Sequence, residues 1–234
     1  MTDRDAAHVL AGLPVSRIAH FTPAINAFSI LRSGWIRSRG DLEREGLDDH
    51  TPTDLERWDG HRDHISCTFE YPNAYYRRTA AGKPEYRNYP DWVTFLIEPA
   101  HAGRADALFS PCNAATAKGA YIASGGDALA QLWSEPSIPA GRRRKPRQHP
   151  AVPTDLQAEV LVRGPIPLSD VQAIVVNTPD YASELYASFN EMGLGPGRLT
   201  WKVAPLFHAP EALRDQLWYG RPVPETIWIP EGAA

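Results

Sequence analysis

Residues 18–36 read IAHFTPAINAFSILRSGWI and predict a strand, a helix and a second strand in direct succession. The first residues suit a short strand, after which Thr22 is a good N-cap and Pro23 takes the favoured first helical position. Apolar side chains then recur at helical spacing, at Ala24, Ala27, Phe28 and Leu31. Gly34 supplies a C-terminal stop before the next strand begins at Trp35.

The rest of the chain contains more predicted strands than helices. Alternating or continuously apolar runs predict strands at residues 65–69, 92–97, 156–162, 174–176 and 199–203. Helices are predicted over 113–121 and after Thr178-Pro179. Residues 38–63 are polar and predict a loop with one helical turn at 54–58. This mixed order predicts an α+β fold with a mainly antiparallel sheet.

The composition is that of a globular protein. Of the 234 residues, 43% are hydrophobic and 22% are charged, which argues against disordered and fibrous classes. No apolar run is long enough for a membrane-spanning helix, and the charged N-terminus does not resemble a signal peptide. We therefore expect a single cytoplasmic domain over residues 1–234, ending in an extended tail from about residue 205.

Metal sites and common catalytic motifs find little support in the sequence. Cys67 and Cys112 are too few for a disulfide framework or a structural zinc site. HExxH, P-loop, GxGxxG and GxSxG patterns are all missing from the sequence. We expect no metal, and the common nucleotide-binding and hydrolase classes are excluded.

One strongly basic segment stands out from a chain whose net charge is −4. This segment, the basic run, places five cations in six positions: Arg142, Arg143, Arg144, Lys145 and Arg147. A local cluster of this kind binds phosphates even on an acidic protein. A solvated, mobile loop explains this feature equally well when it is considered alone.

Two pairs of polar residues are candidates for binding or catalysis. Gln157 and Glu159 share one face of the strand predicted at 156–162. This arrangement fits a carboxylate in a cleft with an amide that orients the substrate. A solvent-facing strand is the commoner explanation for such a pair. His20 and Thr22 share a face where a strand meets a helix N-terminus, a place suited to a ligand's polar edge. A helix cap at Thr22 and a half-buried His20 account for that pair more simply.

Three motifs in register resemble the DarT family of DNA ADP-ribosyltransferase toxins. His20-Phe21-Thr22, with the helix up to Gly34, resembles the opening of the family. Leu108-Phe109-Ser110 with Asn113-Ala114-Ala115 is similar to its Phe-Thr/Ser-Asp-x-Asn-Ala segment. Gln157-Ala158-Glu159-Val160-Leu161-Val162 matches its Gln-Ala-Glu-Phe-Leu-Val strand. The order and spacing hold from about residue 17 to 205.

The resemblance implies an ADP-ribosyltransferase-like fold, a split, bent, mainly antiparallel β-sheet with peripheral helices. It implies that NAD is the co-substrate and that ADP-ribose is transferred to a base of single-stranded DNA. It also implies the toxin half of a toxin–antitoxin pair, with an antitoxin that removes ADP-ribose or binds the toxin.

The resemblance also implies roles for individual residues. Glu159 would be the catalytic glutamate, and Arg57, with Arg62 as its rival, the arginine that assists removal of a proton from the base. NAD would contact His20, Phe21, Thr22, Ser29 and Arg37. The nucleic acid would contact Gln157 and the basic run.

Residues 65–73 depart from the family pattern. Thymidine-modifying members carry Val-Pro-Phe-Tyr-Phe followed by Pro-Arg-x-Pro-Met, whereas this chain has ISCTFEYPN. The difference favours guanosine over thymidine as the modified base. An ADP-ribosyltransferase acting on protein or RNA, and a catalytically inactive nucleotide-binding module, remain alternatives.

Overall fold

The computed structural model describes residues 5–46, 59–84 and 91–230. Its helices are α1 (Ala6–Ala11), α2 (Ala24–Ser33), α3 (Arg39–Glu45), α4 (Ala74–Ala81), α5 (Gly125–Gln131), α6 (Pro179–Glu191) and α7 (Pro210–Trp218). Its strands are β1 (Ile18–Pro23), β2 (Trp35–Ile36), β3 (His64–Phe69), β4 (Trp92–Ile97), β5 (Leu108–Ser110), β6 (Ala123–Ser124), β7 (Glu159–Arg163), β8 (Ile166–Pro167), β9 (Val171–Val176), β10 (Trp201–Val203) and β11 (Thr226–Trp228).

Nine of these strands form one sheet in the order β11-β10-β9-β4-β1-β3-β7-β5-β6. Among the described strands, β9 and β10 pair in parallel across the α6 crossover, and the other neighbours in this sheet are antiparallel. The prediction of an α+β fold with a mainly antiparallel sheet is confirmed. The short strands β2 and β8 pair separately.

The sheet is covered on both faces where its central strand runs. Every residue of β4 is buried, which explains why this strand is apolar apart from Thr94. One face packs Phe95 with Leu31 of α2 and Phe189 of α6. On the other face, Leu96 packs with Phe207, which lies in the short 3₁₀ turn Pro205–His208.

A gap opens in the sheet between β1 and β3. On one side, β1 pairs with β4 along its full length, from Ile18–Ile97 to Pro23–Trp92. On the other side, its ladder with β3 ends at Ala19–Thr68. The chain from His20 onward therefore faces β3 without regular strand pairing, and this split is where a ligand can enter.

Two local predictions near the N-terminus are wrong in detail. Thr22 does not cap α2, because β1 continues to Pro23 and Pro23 is the N-cap residue. Helix α3 lies inside the predicted polar loop and is stabilised by a capping box between Ser38 and Asp41. The helical turn expected at 54–58 lies outside the described residues.

Three later predictions are corrected as well. The strand expected from residue 156 begins at Glu159, because Asp155 accepts hydrogen bonds from the backbone N–H groups of Gln157 and Ala158 and so forms a turn there. The helix expected over 113–121 is only a 3₁₀ turn, Thr116–Gly119, because Ala117 and Lys118 adopt left-handed backbone angles. The tail beyond residue 205 is not extended but forms α7 and β11.

The C-terminal segment is tied to the body of the protein by a buried ion pair. The Arg17 guanidinium donates to Glu225 Oε2 at 2.8 Å, and Lys202 Nζ lies 3.1 Å from the same oxygen. Arg17 also donates from Nε to the carbonyl oxygen of Glu70 at 2.8 Å. Two cations on one carboxylate fix the chain just before β11, which is why this segment returns to the sheet edge.

Candidate active site

A cavity of about 280 Å³ occupies the split between β1 and β3. Its walls come from β1, α2, the chain leading into α3, β3 and the start of β7. All five predicted NAD contacts and the predicted catalytic glutamate are among the described residues that line it: His20, Phe21, Thr22, Ser29, Arg37 and Glu159. The sequence places these residues up to 139 positions apart, and the sheet brings them to one cavity.

The β1 wall presents two polar side chains in fixed orientations. His20 Nδ1 lies 2.9 Å from the carbonyl oxygen of Ser66, so this ring nitrogen donates across the split. Thr22 is buried, and its Oγ1 accepts a hydrogen bond from Asn26 Nδ2 at 2.9 Å. Thr22 therefore orients Asn26 in the cavity wall and does not cap α2.

Glu159 is held at the first residue of β7, where the strand meets the cavity. Its side chain is only 7% exposed. Its Oε1 accepts hydrogen bonds from Asn113 Nδ2 at 2.9 Å and from the Ala114 backbone N–H at 3.1 Å. Hydrogen bonds to a carboxylate are stronger than neutral ones, and here they fix its orientation. A preorganised negative charge at this point can stabilise a positive charge that develops in a substrate.

Cys67 also lines the cavity but is not a suitable nucleophile. Burial raises the pKa of the Cys67 thiol strongly, and the nearby Glu159 carboxylate raises it further. The thiol therefore stays protonated at neutral pH, and the thiolate needed for attack does not form.

Three arginines also line the cavity. Arg32, Arg37 and Arg39 all contribute to its wall. Arg37 Nε lies 2.9 Å from a Glu45 carboxylate oxygen, and Arg39 Nε donates to Glu43 Oε1 at 2.8 Å. The cavity wall thus contains guanidinium groups as well as the Glu159 carboxylate, which suits a ligand that carries phosphates and develops a positive charge.

Other predicted site residues lie elsewhere. Arg57 lies outside the described residues. Its rival Arg62 is not among the described residues that line the cavity, and its guanidinium lies 3.4 Å from Glu43. Gln157 precedes β7 instead of sharing its face with Glu159, so the two side chains are not presented together by one strand.

The basic run forms an irregular loop outside the cavity. The Arg144 guanidinium donates to the carbonyl oxygens of Val152 at 2.7 Å and His149 at 2.9 Å and so stabilises the loop. Arg142 pairs with Asp155 at 3.2 Å. The exposed members of the run are Arg142, Arg143, Lys145 and Arg147.

Sequence reasoning missed several residues of the cavity. Asn113 lies in a motif that carries the family resemblance, yet no pattern indicates that it binds Glu159, 46 positions away. Arg39 was not recognised as a site residue because the polar residues around it predict a loop. The signal that could have found it is Ser38-Arg39-Gly40-Asp41, which fits a capping box when Asp is accepted in place of Glu.

In residues 5–46, 59–84 and 91–230, no three His, Cys, Asp or Glu side chains form a group that could hold a metal ion. In the same part of the chain, no helix has the length and apolar character needed to cross a membrane.

Comparison with known protein families shows to which family the chain belongs. The family model described as "ssDNA thymidine ADP-ribosyltransferase, DarT" matches residues 19–205. The chain belongs to the DarT family. The match begins in β1 and ends beyond β10, so it includes the cavity and Glu159, whereas α7 and β11 lie outside it. A search of curated proteins found no match.

Solved DarT structures share the fold at low sequence identity. Thermosipho africanus DarTG in complex with ADP-ribose is 16% identical, with a TM-score of 0.56 over 82% of this chain and 51% of that one. Thermus sp. 2.9 DarT in complex with ADP-ribosylated ssDNA is 16% identical, with a TM-score of 0.50 over 76% of this chain and 91% of that one. The chain thus spans about half the length of the T. africanus protein.

Proposed function

We propose that this protein transfers ADP-ribose from NAD to a base of single-stranded DNA. The observation that carries the proposal is a buried, doubly hydrogen-bonded Glu159 in the same cavity as His20 and the arginines of α2 and α3. Membership of the DarT family supports the reaction class. The arginines in the cavity wall suit the pyrophosphate, and Glu159 suits the ribose next to nicotinamide.

The proposed reaction exchanges one bond at the ribose C1′ for another. The bond from C1′ to the nicotinamide nitrogen breaks, and nicotinamide leaves with the electron pair. A nitrogen of the base then forms the new bond to C1′ and loses its proton. The ribose passes through an oxocarbenium-like state, as in glycoside cleavage, and the Glu159 carboxylate stabilises that positive charge. Arg57 assists removal of the base proton in this proposal.

The finer assignments form part of the same proposal. Guanosine is the favoured acceptor base, because residues 65–73 depart from the pattern of thymidine-modifying members. The protein acts in the cytoplasm as the toxin of a toxin–antitoxin pair, and its antitoxin removes the modification or binds the toxin.

The test uses the purified protein, NAD and four single-stranded oligonucleotide pools, each of which lacks one base. Intact mass is expected to show an added ADP-ribose on every pool except the one without guanine. Loss of the adduct only in the thymine-free pool would contradict the guanosine assignment while keeping the reaction. Protein that cleaves NAD but modifies no pool would overturn DNA as the acceptor and point to protein or RNA.

The exposed part of the basic run should contribute to DNA affinity. The double variant Arg143→Glu, Arg147→Glu is expected to weaken single-strand binding by one to two orders of magnitude, since it removes two phosphate contacts and adds two repulsive charges. The slope of log affinity against log salt concentration should become shallower by about 1.4, because each phosphate contact on a single strand contributes about 0.7 to it.

Fluorescence anisotropy over a salt series measures both quantities. Arg163→Glu, an exposed charge reversal at the far end of β7, is the matched control and should leave affinity close to that of the wild type. NAD binding should be unchanged in all three proteins. Equal affinity of the double variant and the control would remove this loop from the DNA-binding surface.

A further inference from the structure

Asn73 is a buried amide at the edge of the cavity. It is 3% exposed and is the N-cap residue of α4, where its Oδ1 accepts the backbone N–H of Tyr76 at 3.0 Å. Its Nδ2 has no hydrogen-bond acceptor among the described residues. Asn73 is also one of the residues that line the cavity.

The cap fixes which end of the amide is available. Turning the amide over would remove Oδ1 from the Tyr76 N–H and leave the first turn of α4 without its cap. The NH₂ group is therefore held in place as a donor. Buried polar groups in proteins are almost always paired with protein, water or ligand, so a donor left unpaired beside a cavity is available to an acceptor on the ligand.

The position of Asn73 indicates which part of the reaction it serves. Asn73 also lines a small second cavity together with Thr68, Leu156 and Ala158, and the last two come just before β7. Asn73 follows the end of β3 at which Cys67 pairs with Val160, the neighbour of Glu159, whereas Gly40 of α3 bonds to Arg62, before β3 begins. In the proposed function, the acceptor base approaches the ribose that is held beside Glu159.

We propose that Asn73 Nδ2 donates a hydrogen bond to a carbonyl oxygen of the acceptor base, an inference that rests on the proposed function. Guanine, thymine and cytosine carry such an oxygen, whereas adenine has only ring nitrogens and an amino group at the corresponding edge. Asn73 is therefore a specificity-determining residue that favours bases with a carbonyl oxygen over adenine.

The same hydrogen bond strengthens as the reaction proceeds. When the attacking nitrogen gives up its proton, negative charge spreads through the conjugated base onto its carbonyl oxygen. A preorganised donor at that oxygen stabilises the transition state more than the ground state. Removing the donor should therefore lower kcat for transfer more than it changes the apparent affinity for DNA.

The test replaces Asn73 with Asp and, separately, with Ser. Both side chains keep an oxygen that can cap α4, and both remove the NH₂ donor. We expect transfer to DNA to fall by about 100-fold. Hydrolysis of NAD in the absence of DNA and the thermal unfolding midpoint should stay close to the wild-type values. Asn190→Asp on the exposed surface of α6 is the matched amide-to-carboxylate control.

The outcomes separate the possible roles. Unchanged transfer in both variants overturns the inference. An equal fall in NAD hydrolysis and transfer also overturns it, because the donor would then serve the dinucleotide. If the wild-type protein hydrolyses NAD but modifies no base, both the proposed function and this inference are overturned. This result is distinguishable because it is measured on the wild type, without any variant.

Discussion

Glu159→Gln is expected to reduce ADP-ribose transfer by about 1000-fold, the upper range for loss of one preorganised electrostatic group. Gln preserves the volume and can still accept the Asn113 and Ala114 hydrogen bonds through its carbonyl oxygen. It carries no negative charge, so the oxocarbenium-like ribose loses its stabilisation. The rate of adduct formation by intact mass measures the effect, and NAD binding by calorimetry should be retained.

Glu184→Gln, an exposed change of the same type on α6, serves as the control and should transfer at the wild-type rate. Expression in bacteria without an antitoxin gives a second reading, since only the Glu159 variant should be tolerated. Transfer by Glu159→Gln within ten-fold of the wild type would mean that the carboxylate is structural and that the charge is stabilised by another group.

The strands were predictable where local pattern and tertiary environment agree. The buried strand Trp92–Ile97 is apolar because the sheet is covered on both faces, and its composition alone indicates this. The strand at Glu159 begins later than its pattern indicates. The apolar alternation continues back to residue 156, but the turn formed by Asp155 uses the backbone N–H groups before any partner strand is reached. Alternation reports side-chain environment, whereas strand limits depend on hydrogen-bond partners.

In the C-terminal segment, the local composition predicts the wrong structure. Its prolines suggest an extended tail, yet Pro210 occupies the first helical position, where proline is favoured. Leu213 and Leu217 of the resulting helix pack against Val152 and Ala74. These contacts join parts of the chain far apart in sequence, so no window of residues reveals them.

The candidate site likewise combines residues that the sequence indicates with contacts that only the fold creates. His20, Thr22 and Glu159 could be proposed from motifs whose order resembles a family, and all three line the cavity. The hydrogen bond from Asn113 to Glu159, by contrast, exists only because β5 and β7 pair and bring Ser110 opposite Glu159. The Asn73 Nδ2, which has no acceptor among the described residues, likewise depends on a cap and a cavity that only the folded chain defines.

Asn113→Asp should reduce transfer at neutral pH by about 100-fold, because it places a second carboxylate beside the first. The Asn113 nitrogen lies 2.9 Å from Glu159 Oε1, and an oxygen in its place brings two acidic groups to a distance at which both cannot be ionised easily. The pair then shares a proton, so its second ionisation moves to higher pH. Activity in this variant should therefore recover as pH rises, while the wild type, without the shared proton, lacks this rise.

Asn113→Ala separates the charge effect from loss of the hydrogen bond. It removes one donor from the Glu159 carboxylate and leaves the Ala114 N–H, so transfer should fall by only about ten-fold and keep the wild-type dependence on pH. Single-turnover rates between pH 6 and 9 measure both variants. If Asn113→Asp and Asn113→Ala lose activity equally and show the same pH profile, Asn113 does not act through the Glu159 carboxylate, and the hydrogen bond between them serves the fold alone.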